Sequence, residues 1–133
     1  MGTQTIIQEY YVDRHHYCLT DDYIICVTLN GEVDYEQALR CKAVSTKLHT
    51  MFEGPKRVLV DLNKAGKQSA EARKVFAELT DLGARPVKVA LWGLHPVARI
   101  IASFFAGITD NKKSKFFSDK EKALSWLKEK IEP

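Results

Sequence analysis

At 133 residues the chain has the length of one domain, and a chain of that size buries roughly two thirds of its unfolded surface, enough for a core without metal or disulfide staples. Hydrophobic residues at 45% and charged residues at 28% are ordinary globular values, and a net charge of +3 is too small to argue for nucleic acid. The three cysteines, Cys18, Cys26 and Cys41, contain no C-x-x-C pair, which argues against a disulfide framework and for free thiols in a reducing compartment.

The opening MGTQTIIQEY has no basic stretch leading into an apolar one, so no secretory signal is expected. Position 6 is Ile6 where a myristoylation motif needs Ser or Thr. Residues 5–29 are rich in β-branched and aromatic types, and TIIQEYYV, HHYCL and YIICVTL read as strands. Thr20-Asp21-Asp22 is turn chemistry and predicts a hairpin between the last two, with Asn30-Gly31 ending the final strand. Asp34 caps the next helix, with Gln37 as its reciprocal partner. That helix runs to about Phe52, has Leu39, Leu48 and Phe52 among its apolar anchors, and stops at Gly54-Pro55. RVLVDL, Arg57 to Leu62, is the kind of apolar run that a parallel sheet covers on both faces, and NKAGKQ after it reads as a loop. Ser69 then caps a helix whose Ala72, Val75, Phe76 and Leu79 fall at helical spacing, with Gly83 as its stop.

VKVALW is the next buried strand. Pro96 suits a first helical turn, and Val97, Ile100, Ile101, Phe104, Phe105 and Ile108 form the apolar stripe of the helix it opens, which Gly107 ends. KFF is a last short strand. Ser118-Asp119-Lys120-Glu121 reads as a capping box for a C-terminal helix with Leu124, Leu127 and Ile131 on its inner side and Trp126 beside them. The segment at 97–108 is too short to span a bilayer and contains Arg99, so no stable membrane insertion is expected. Lys112-Lys113-Ser114-Lys115 is short and lacks aromatic interleaving, which fits a solvated loop and no nucleic-acid partner. Strands alternating with helices imply parallel crossovers. The expected fold class is α/β, a single domain over 1–133, with a mixed, mostly parallel sheet, an N-terminal antiparallel hairpin and about four helices.

YIICVTLNGEVDYEQAL, RVLVDLNKAG, ARKVFAEL, KVALWG and KFFSDKEKALSWL, in that order, carry a family resemblance over nearly the whole chain. The sequence resembles the SpoIIAA-like proteins, a branch of the STAS superfamily (the anti-sigma-factor-antagonist fold), also grouped with CRAL-TRIO-like domains. The resemblance implies a regulatory or ligand-binding module, not an enzyme. It also implies a phosphorylated serine at the start of the helix after the VDL strand, in an Asp-Ser-Ser-Gly motif. Ser69 falls at roughly the matching helix start, but this chain reads VDLNKAGKQSAEARKVF there and the motif is absent.

Ligands of open α/β sheets bind beyond the carboxyl ends of the parallel strands. Asp61 with Asn63, and Trp92 with His95, occupy two such ends. Helix starts at Ser69 and near Pro96 would turn N–H groups into the same space, with Arg99 one turn on, favouring an anion. The candidate ligand- or partner-binding set is therefore Asp61, Asn63, Ser69, Trp92, His95 and Arg99. Each also has a structural reading: Asp61 on loop amides, Ser69 as a cap, His95 on a helix end, Trp92 in the core. Ser69, His95 and Asp61 are the residue types of a triad, yet Ser69 lacks the G-x-S-x-G elbow, so no catalytic residue is expected. His15, His16, Cys18 and Cys26 bring metal-ligating types together without a recognised four-ligand spacing, so no metal and no cofactor are expected. The apolar stripe at 97–108 reads as core, with a lipid-sized cavity or a dimer interface as the other uses. The functional expectation is a cytoplasmic, non-enzymatic regulatory or binding module. Its partners are a protein, a second copy, or a small apolar or anionic ligand, and the alternative is a carrier of an apolar molecule under the helices.

Overall fold

Six strands and four helices follow one another in the computed structural model, which describes residues 4–78, 87–108 and 114–129. Strands β1 (Ile6–Val12), β2 (His15–Thr20) and β3 (Ile24–Val33) form an antiparallel meander. Asp13, at φ 53°, closes the short turn between β1 and β2, and Arg40 holds its carboxyl below the usual range through a 2.7 Å ion pair. The predicted hairpin at Thr20-Asp21-Asp22 is present, with the Tyr23 N–H donating to the Thr20 carbonyl at 2.9 Å. Next come α1 (Tyr35–His49), β4 (Lys56–Gln68), α2 (Ala70–Glu78), β5 (Val87–Trp92), α3 (Pro96–Ile108), β6 (Ser114–Phe117) and α4 (Lys120–Lys128). The sheet order is β1-β2-β3-β4-β5-β6, with β3 to β6 mutually parallel, so the fold is the expected mixed α/β architecture.

The helices divide unequally between the faces. Residues of α1, α2 and α3, among them Leu48, Val75, Phe76 and Ile101, bury against Leu19, Ile25, Val27, Val60, Leu62 and Leu91. On the other face, Ala123, Leu124 and Leu127 of α4 bury against Ile24, Leu59 and Ala90. Side-chain alternation along each strand explains both clusters: Ile25, Val27 and Leu29 point one way, Ile24 and Cys26 the other. Basic side chains anchor the end of α4. Arg57 donates to the Leu127 carbonyl at 2.6 Å and Lys88 to the Trp126 carbonyl at 2.5 Å, satisfying acceptors that a helix end leaves open. Lys56 does the same after α1, donating to His49 at 2.7 Å and Phe52 at 2.5 Å.

Several element ends differ from the sequence reading. The Asp34–Gln37 capping box is present, but α1 stops at His49, Phe52 lies beyond it, and Leu39 is 41% exposed instead of anchoring. Strand β3 does not end at Asn30-Gly31. It bulges there and continues to Val33, and β4 runs on beside it through NKAGKQ, so the expected loop is strand. Two glycines permit the pairing: a Cβ on Gly66 would stand 2.8 Å from the Gly31 carbonyl carbon, closer than side chains tolerate. The cap of α4 is Asp119, which accepts from the Glu121 and Lys122 amides; Ser118 precedes the helix start. In α3 the buried face is Ala98, Ile101 and Ala102, whereas Val97 and Ile100 of the expected stripe are exposed. Leu79, Gly83 and Ile131 lie outside the described residues, as do the side chains of Phe104, Phe105 and Ile108.

Candidate functional site

Strand β4 carries Asp61 to a position opposite both Thr28 of β3 and Trp92 of β5. Asp61 Oδ1 accepts from the Asn63 backbone N–H at 2.9 Å and from Asn63 Nδ2 at 2.8 Å. Held in that way, Asn63 presents its Oδ1 to the Leu94 N–H at 2.7 Å. The Gly93 N–H donates to the Phe117 carbonyl at 3.1 Å, and the Ala98 N–H to the His95 carbonyl at 2.9 Å. The corner between β5 and α3 is thus tied to β4 on one side and β6 on the other. Gly93 is needed for space, because a Cβ there would come within 3.0 Å of the Ala98 Cβ where α3 turns back on the strand.

Four of the six candidate residues belong to this corner. Asp61 and Asn63 buttress it, Trp92 ends β5, and His95 is exposed just before α3. The Trp92 indole nitrogen is buried without a hydrogen-bond partner. Ser69 is elsewhere. The six residues from Asn63, at roughly 3.3 Å each, put it on the order of 20 Å further along β4. Its Oγ accepts from the Ala72 N–H at 3.0 Å as the cap of α2, and its own N–H donates to Val33 at 3.1 Å. Arg99 is on the other face, its guanidinium 4.7 Å from the Phe116 ring, which packs with the α1–α3 cluster. Ser69, Asp61 and His95 therefore do not converge.

Sequence reasoning missed what the corner displays. Leu94, Val97 and Ile100, three residues apart, are 77%, 46% and 58% exposed. His95, Pro96 and Ser103 are also exposed. The available signal was the spread of apolar residues round all sides of α3, which leaves some without a partner whichever face packs. An open groove of about 280 Å³ lies between β6 and α4 and is lined by Phe117, Trp126, Lys115, Lys122, Glu121 and Glu129 among others.

The hairpin cluster resolves into separate roles. His15 is buried, and its Nδ1 accepts from the Asn30 N–H at 3.0 Å where β3 bulges; burial lowers its pKa. His16 lies on the opposite face, its Nε2 3.4 Å from Glu9 Oε1 and its ring 4.7 Å from Tyr11. Cys18 and Cys26 stand directly opposite each other across β2 and β3. The two thiols act on each other: the neighbouring Cys26 holds Cys18 below the usual range, and Cys18, with burial, pushes Cys26 up. Among the described residues no three His, Cys, Asp or Glu side chains are grouped so as to hold a metal ion.

Comparison with known proteins places the chain. The profile of a domain of unknown function, DUF7793, matches residues 17–131. The chain belongs to this family. A solved structure similar to it is an uncharacterised protein of the DUF3478 family with a SpoIIAA-like fold from Shewanella loihica PV-4. The two share 19% identity and superpose with a TM-score of 0.63 over 96% of this chain and 97% of the other. The SpoIIAA-like fold implied by the sequence is therefore the fold of this protein. No curated protein sequence matches the chain significantly. Among the described residues no helix is long and apolar enough to cross a membrane.

Proposed function

We propose that the chain is a non-enzymatic regulatory or binding module of the SpoIIAA-like, STAS type, which works by docking a protein or small ligand at the β5–α3 corner. The observation that carries this reading is the exposed ridge of Leu94, Val97 and Ile100 on a backbone tied by Asn63 and Phe117. A pre-ordered backbone loses little entropy on association, and a contiguous exposed apolar patch marks an interaction site more often than a bare surface. Exposed His95 adds a polar contact at its rim. The separation of Ser69 from Asp61 and His95 supports the non-enzymatic reading, and three free thiols support a cytoplasmic setting.

Native mass spectrometry of the chain purified from its own host, wild type against a Leu94→Glu, Ile100→Glu double variant, tests the proposal. The expected result is a protein or small-ligand adduct on the wild type that the variant loses while keeping its thermal stability. An apolar adduct held equally by both would overturn the corner as the site and favour a carrier with a cavity under the helices. A bare chain in both cases would overturn the binding role.

A further inference from the structure

Cys18 and Cys26 are Cα partners on neighbouring antiparallel strands, so their side chains leave the same face of the sheet side by side. Opposed residues of such strands have Cα atoms roughly 4.5–5.5 Å apart, inside the roughly 4.4–6.8 Å that a disulfide spans. Both are free thiols. Cys18 is 4% exposed and Cys26 is half-buried, so the pair is shielded without being sealed. Cys26 Sγ also lies 4.0 Å from Gln4 Oε1, and Lys120 at the start of α4 bears electrostatically on both sulfurs. Helix α4 packs on β4, β5 and β6, and Cys26 borders the cluster that it buries. Cys41 belongs to the other face, fully buried on α1 and hydrogen-bonded to Tyr17.

We propose that Cys18 and Cys26 form a cross-strand dithiol that an oxidant of the peroxide class closes to a disulfide. In the first step one sulfur attacks the peroxide, becomes a sulfenic acid and releases water. In the second, the other thiol displaces the hydroxyl as a second water. The balance is two thiols and one hydrogen peroxide giving one disulfide and two waters, and a thiol reductant returns the two electrons. In a reducing compartment the pair rests open, which is the condition for a sensor instead of a staple. Closure removes the S–H that Cys26 directs at Gln4. The Gln4 side chain also reaches Thr20 Oγ1 and Asp22 at 3.4 Å, so the oxidation state is felt where the chain enters β1.

The sequence makes the test clean. Trypsin cleaves after Arg14 and Arg40, so one peptide, 15–40, holds both cysteines, and Cys41 falls on the next. The folded full-length chain is treated with equimolar hydrogen peroxide, unfolded in the presence of N-ethylmaleimide and digested. The expected result is a peptide 15–40 lighter by two hydrogens, unlabelled, and restored by dithiothreitol, while Cys41 is alkylated. In Cys26→Ser the two-hydrogen loss should vanish. The wild-type measurement stands on its own should that variant fold poorly. Full alkylation of both cysteines after peroxide, or accumulation of sulfinic acid or of a disulfide-linked dimer, would overturn the proposal.

Discussion

Gly93→Ala is the sharpest test of how the β5–α3 corner is built. Gly93 is not among the residues at positive φ, so an alanine can adopt its backbone, and the substitution probes space alone. The added Cβ would stand less than 3.0 Å from the Ala98 Cβ, where ordinary contact is 3.4–4 Å, so strand and helix must part by at least about 0.4 Å. Ala98 is fully buried, which leaves no solvent side into which the methyl can turn. Overpacking of this kind costs about 1–3 kcal/mol, offset by about 0.4–1 kcal/mol from the stiffer unfolded chain. Ala98→Gly alone should lose about 1–2 kcal/mol, from one buried methyl and a glycine in the first helical turn. The double variant puts a methyl back into the same space from the other side. It should be no less stable than Ala98→Gly, an interaction energy of about 1–2 kcal/mol. Urea unfolding of the four chains at pH 7 reads these differences directly. Strict additivity, or a Gly93→Ala chain as stable as the wild type, would refute the close approach.

Other consequences can be measured with the same assay. Arg57→Ala removes a donor to the Leu127 carbonyl and should cost about 1–2 kcal/mol, with faster amide exchange confined to α4. Burial lowers the pKa of His15 and of His49, whose Nδ1 donates to the Ser45 carbonyl at 2.7 Å. Unfolded imidazoles titrate near about 6.5 and take up protons that the folded ones resist, so stability should hold above that pH and fall as pH drops below it; an unchanged urea midpoint between pH 7.5 and 5.5 would refute it. Ser69→Ala should lose about 1 kcal/mol with the cap, whereas Ser69→Asp, a carboxylate at the start of α2, should keep nearly full stability.

Apolar alternation and caps made most of the fold legible: β1, β2, β5 and the Asp34–Gln37 box stand where the residues put them. The stretch 63–68 was not, for a physical reason. It is polar and holds a glycine, which reads as a loop, yet its backbone pairs with β3 and the glycine is what lets the two strands approach. That extension carries Ser69 away from the corner. Arg99 was misplaced because strand and helix order do not reveal which side of the sheet a helix covers. In α3, where nearly every residue is apolar, periodicity cannot choose a face; packing put Ala98, Ile101 and Ala102 inside and left Val97 and Ile100 outside, with Leu94 exposed just before the helix.

The backbone donors at the corner bear on which occupant the proposed docking surface would suit. An anion at a helix start is held by N–H groups that the helix leaves open. Here the Gly93 N–H is spent on Phe117, the Leu94 N–H on Asn63 and the Ala98 N–H on the His95 carbonyl, and Pro96 has none to give, which leaves the His95 and Val97 amides for an anion. Asn63 in turn is fixed by Asp61, whose charge faces the same neighbourhood and disfavours an incoming anion. What the corner offers most is side-chain surface: three aliphatic residues with an imidazole at the edge. Such a surface gains from burial and not from charge capture, which favours an apolar patch on a protein partner over a small anion as its occupant.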